Sequence, residues 1–254
     1  MGTSSSYKGS TSKVSRELRD GVEEWAQCQT DNTKTSIPEN VIAQALKIPV
    51  FPRRSSSNGD GNGGTAGGGA SGGGRKQSAP HRNARAFAAT AGRAANLARA
   101  FREGDRELLA KAGLDFDKLS ALPSRHEMVR TILDVVCEAQ TSSDIPNEEQ
   151  RDIAGKLLDW MLDSEQNPTT PDATATTEYA IGLIIAEIFI SESGEFTSRD
   201  RVNREEFIES VQDASYQLVA RANLSIQNAS QDMIDKAIEK GLKDLRRIYR
   251  GRVK

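Results

Sequence analysis

The sequence predicts an all-α protein, and three observations carry that expectation. No segment alternates apolar and polar residues with the period of two that a half-buried strand needs. From about residue 79 onward, apolar residues instead recur every three or four positions, run after run. Of the 21 glycines, ten fall between Gly59 and Gly74, which leaves the remaining chain poor in the residue that sheet corners and Rossmann loops use.

Element by element, residues 1–12 (MGTSSSYKGSTS) hold almost nothing that could be buried and read as a flexible N-terminal tail. Residues 13–52 form a short helical N-terminal segment. Val14, Leu18, Val22 and Trp25 make one face of a helix over 13–27, while Glu17, Arg19, Glu23 and Glu24 take the wet side. A second helix is signalled by Ser36 as a cap, Pro38 in the first turn and the stripe Val41, Ile42, Ala45, Leu46. Pro49 and Pro52 end regular structure. Residues 53–78 are a Gly/Ser-rich linker, because such sequence cannot repay its own ordering entropy. A span on the order of 25–30 Å lets the first ~50 residues act semi-independently.

Residues 79–254 are expected to be one α-helical domain. Its first helix carries the seam Phe87, Thr90, Ala94, Leu97 and Phe101, with Arg82, Arg85, Arg93, Arg99 and Arg102 on the other half. Gly104 stops it; Asp105, then Asp115 or Asp117, start two short helices before Pro123. Longer helices follow over about 124–140, 146–165, 203–223 and 230–250. Between the second and third of these, a Pro/Thr-rich loop over 167–177 precedes a helix that is apolar nearly all round (Ile181 to Ile190), the central helix of a bundle. That stretch is about half the length of a membrane span, and no basic-then-apolar leader precedes it. With two cysteines, Cys28 and Cys137, a reducing, cytoplasmic setting is expected.

The net charge of −2 is a sum of unlike parts: 0 over 1–52, +8 over 53–102, −15 over 103–242 and +5 over 243–254. The arginine helix could therefore track phosphates or dock on acidic protein, and the neighbouring acidic sequence favours protein. Cations in the last turns, from Lys243 to Lys254, also complement a helix dipole. Catalytic machinery is not signalled. His81 and His126 stand apart from both cysteines, so no zinc spacing exists, and no metal or cofactor is expected. The run GGGRKQS lacks the Gly-Lys-Ser/Thr order and the preceding strand of a phosphate loop. At the other end, Met1 before the small Gly2 invites methionine removal, leaving an unhindered amine that titrates near pH 8.

The start MGTSSSY, the Gly tract and the run SAPHRNARAFAATAGRAANLARAFREGDRELLAKAGLDFDKLSAL (residues 78–122) together resemble the QatB family. That family supplies the second component of the bacterial Qat antiphage defence systems. The resemblance implies a non-enzymatic partner of an ATPase, a QueC-like enzyme and a TatD-like nuclease. It further implies that the QueC-like enzyme joins a deazaguanine group to the N-terminal glycine, a role that falls on Gly2. Thr3, Ser4, Ser5, Ser6 and Tyr7 would then thread the enzyme's active site.

Overall fold

The structure is a computed structural model that describes residues 12–29, 36–48, 84–137, 145–193, 203–224 and 233–252. Among these residues there is no strand, and the expected all-α class holds. The first helix, α1 (Lys13–Gln27), starts where Ser12 Oγ accepts the Ser15 N–H at 3.1 Å and buries Leu18, Val22 and Trp25. The second is shorter than its apolar stripe suggests. Only Glu39–Ile42 (α2) is α-helical, and Ala43–Lys47 tightens into a 3₁₀ turn. Pro38 rather than Ser36 occupies its cap position, with no side-chain bond to the helix.

Helix α3 (Ala84–Glu103) is buried over far more than the narrow seam, because alanines and Gly92 bring its backbone close to its neighbours. A Cβ at Gly92 would lie 2.9 Å from that of Asp235. Two left-handed glycines then cut the chain into short pieces, Gly104 at φ +72° and Gly113 at φ +83°. Between and after them lie α4 (Arg106–Lys111), capped by Asp105, and α5 (Phe116–Ser120), capped by Asp115. Helices α6 (Arg125–Cys137) and α7 (Ile145–Leu162) pack on α3 and on each other.

Helix α8 begins earlier than the Pro/Thr-rich stretch leads one to expect. It runs Ala173–Ser193, because Asp172 Oδ1 caps the Ala175 N–H at 2.7 Å and the Thr177 hydroxyl is satisfied by the Ala173 carbonyl. At this length it also reaches the dimensions of a membrane span, with mean hydropathy 1.4, contrary to the sequence expectation. Two-thirds of that apolar window is covered by protein, so the helix serves as the bundle's axis. Helices α7, α9 (Arg204–Arg221, capped by Asn203), α10 (Ile234–Arg252) and α1 all lie against it.

The N-terminal segment shares this core. Trp25 packs on Phe207 of α9 at 6.0 Å between ring centroids, and Phe207 packs on Phe189 of α8 at 6.4 Å. Glu39 is held from two sides, by Arg221 at 2.9 Å and by the Tyr249 hydroxyl at 2.6 Å. Leu18, Trp25 and Ile42 are buried in the same cluster as Ile184 and Leu245. At about 1.5–3 kcal/mol for each large side chain removed from water, this is a firm attachment, and the semi-independence expected of the first ~50 residues does not extend to residues 13–29 and 36–48.

Candidate functional site

Gly2, Thr3, Ser4, Ser5, Ser6 and Tyr7 lie outside the described residues, as does Arg82. The structure defines the point to which they lead. Ser12 and Ser15 hydrogen-bond through their hydroxyls at 2.8 Å, and Ser15 Oγ donates to Glu192 Oε2 at 2.9 Å. Glu192 is 1% exposed, so the chain enters the bundle through a polar contact with the last turn of α8. Beside it, Ser191 donates to Glu149 of α7 at 2.8 Å, and Glu149 is likewise buried.

One turn earlier on α8, Glu187 faces Asp152, Lys156 and Glu149 of α7. Burial, reinforced by the Asp152 carboxylate, pushes its carboxyl up to about 8, and Lys156 opposes this only in part. Glu187 is therefore protonated at neutral pH. A carboxyl that holds its proton more tightly folded than unfolded contributes stability below its ordinary value of 4.5, lost as the pH rises through about 8. Glu187→Gln should keep the packing without that loss. Its melting temperature relative to the parent is expected to rise between pH 6 and pH 9, by on the order of 5 °C at the upper end. An unchanged difference across the range would show that Glu187 does not hold this proton.

The arginines of α3 do not form one contact face. Arg85 and Arg93 are exposed, and Arg99 is half-buried. Arg102 turns inward across the C-terminal end of α7, donating to the carbonyls of Met161 at 2.8 Å, Asn167 at 2.7 Å and Pro168 at 3.3 Å. It therefore closes the fold and is withdrawn from any partner.

Two further features escaped the sequence reading. Trp160, Tyr179 and Tyr216 stack in series across α7, α8 and α9, with centroids 4.1 Å and 4.9 Å apart and planes within 14°. Gly182 makes this possible, since a Cβ there would fall inside the Tyr216 ring's van der Waals envelope. Burial pushes both tyrosine hydroxyls up, so they remain neutral. An open groove of about 710 Å³ also runs between α6 and α7, floored by Val129, Leu133 and Gly155 and flanked by His126, Arg130 and Glu148. Arg151 there is tied to Asp134, and Lys156 to Asp152. Cys28 is exposed, while burial raises the half-buried Cys137 thiol and keeps it protonated.

Among the described residues, no three His, Cys, Asp or Glu side chains gather as a metal site. The arrangement offers binding surfaces built on a stiff helical frame. No family model, curated protein or solved structure matches the chain.

Proposed function

We propose that this protein is a cytoplasmic, non-enzymatic antiphage defence component: the protein substrate and docking partner of a QueC-like enzyme that joins a deazaguanine group to Gly2. The carrying observation is the pairing of an N-terminus Met-Gly-Thr-Ser-Ser-Ser-Tyr with a firm anchorage at Ser12 and Ser15. An unhindered glycine amine, unprotonated in appreciable fraction near neutral pH, is what a conjugating enzyme requires. Gly2 lies ten residue steps from Ser12, a length that extends at most about 33–36 Å. That reach suits an amine that enters a deep active site while the helical body docks outside it. The system's ATPase and TatD-like nuclease are the further partners that the QatB resemblance brings to this reading.

Intact-mass spectrometry after co-expression with the QueC-like enzyme is the direct test. The expected result is a single adduct on Gly2, absent when Gly2 is replaced by proline, together with loss of phage protection in that variant. An unmodified N-terminus, with protection intact in the Gly2 variant, would sink the reading.

A further inference from the structure

The geometry points to a second interaction surface, independent of Gly2: a cationic row along the outer face of α10 that binds the phosphate backbone of double-stranded nucleic acid. Lys236, Lys240, Lys243 and Arg247 follow one another at intervals of four, three and four residues, so they share one face of the helix. All four are exposed. The row is about 16 Å long at 1.5 Å per residue.

The face cannot rotate away. Ile234, Ile238, Leu242, Leu245 and Tyr249 on the opposite side are all buried in the core. The acidic residues of the helix stand back from the row: Asp235, Glu239 and Asp244 are half-buried on its flanks. Glu239 reaches Lys243, and Asp244 reaches Arg247 at 3.3 Å, but the arginine side chain remains 81% exposed. Over the described part of α10, every exposed ionisable side chain is thus a cation.

The chemistry of the row selects the occupant. A stable protein interface needs a desolvated apolar or aromatic centre. Along this face the exposed large apolar side chain is Met233, at its very start. A polyanion needs only a line of cations from which counterions are released. Single strands are held by stacking on aromatic rings, and the row contains none, which favours a duplex. Lysines on flexible stems position a backbone without reading bases, so binding should be indifferent to sequence.

The experiment is fluorescence anisotropy with a labelled duplex DNA of arbitrary sequence, using the full unmodified chain, so that its outcome does not depend on conjugation at Gly2. Four phosphate contacts predict that affinity falls roughly 150-fold between 50 and 200 mM salt. Lys236→Gln with Lys240→Gln should halve the logarithmic salt slope. Lys111→Gln with Lys118→Gln, the same charge change on α4 and α5, should leave it as it was. The proposal is overturned by failure to bind duplex at 50 mM salt or by equal loss in the control pair. It is also overturned by a preference for single strands, which would indicate stacking, or by displacement of duplex by polyglutamate at equal charge concentration, which would indicate an acidic protein partner.

Discussion

Replacing Phe207 by alanine is expected to cost about 3–5 kcal/mol and to loosen the N-terminal segment from the bundle. Phe207 is 2% exposed and stands between Trp25 of α1 and Phe189 of α8, within aromatic contact of both. Removing the ring opens a cavity where α1, α8 and α9 meet through aromatic side chains. The transfer and cavity terms add, because the helices around a 2% exposed ring relax only in part when it is removed. Chemical denaturation gives the magnitude, and limited proteolysis gives the location. Cleavage after Lys13, Arg16 or Arg19 should become fast in the variant while the remainder of the bundle stays protected. Uniform sensitisation of the whole chain would mean that α1 and the bundle unfold as one unit.

Arg102→Ala should cost about 2–4 kcal/mol, an effect out of proportion to a half-exposed surface arginine. Its guanidinium gathers the Met161 carbonyl, which the end of α7 leaves without an intrahelical partner, and the Asn167 and Pro168 carbonyls of the loop that follows. The same turn is drawn together by Asn167, whose side chain donates to Trp160 O at 2.7 Å, and by Asp163. The Gln166 N–H and the Arg125 guanidinium hold the Asp163 carboxyl below the usual carboxylate range. Arg102→Lys supplies charge without the planar fork and should recover less than half the loss. Thermal denaturation of both variants checks this. Equal stability of parent and Arg102→Ala would return Arg102 to the pool of surface cations available to partners.

These two residues also mark where sequence reading reached its limit. Local signals were legible: Asp105, Asp115 and Asn203 cap the helices they precede, and Gly104 and Gly113 take the left-handed conformations that end them. Each of those signals acts within a few residues of chain. The docking of residues 13–29 and 36–48 depends on pairs far apart in sequence, such as Ser15 with Glu192 and Glu39 with Tyr249. Polar residues of this kind read as wet faces until their partner is known. Helix α3 misled for another reason. Alanine and glycine register weakly in an apolar stripe, yet they permit the closest backbone approach, so its buried surface extends well beyond Phe87, Thr90, Ala94, Leu97 and Phe101. Of the residues proposed to carry function, Gly2 was proposed from its chemistry and the QatB resemblance. The α10 row was visible only as a basic C-terminal end, because its meaning depends on which face the core claims.

The character of α8 sets a condition on how this protein is made. When Ala173–Ser193 leaves the ribosome, α9 and α10, which cover much of it, have not yet emerged. For some seconds, at about 5–20 residues per second, the nascent chain carries a partly covered helix with the hydropathy of a membrane span. Chaperones and the insertion machinery both compete for such a segment. Chains that stop short of residue 203 keep that surface permanently, and aggregation or degradation is their natural fate. Concealment of the α8 axis is thus deferred until α9 and α10 have folded onto it.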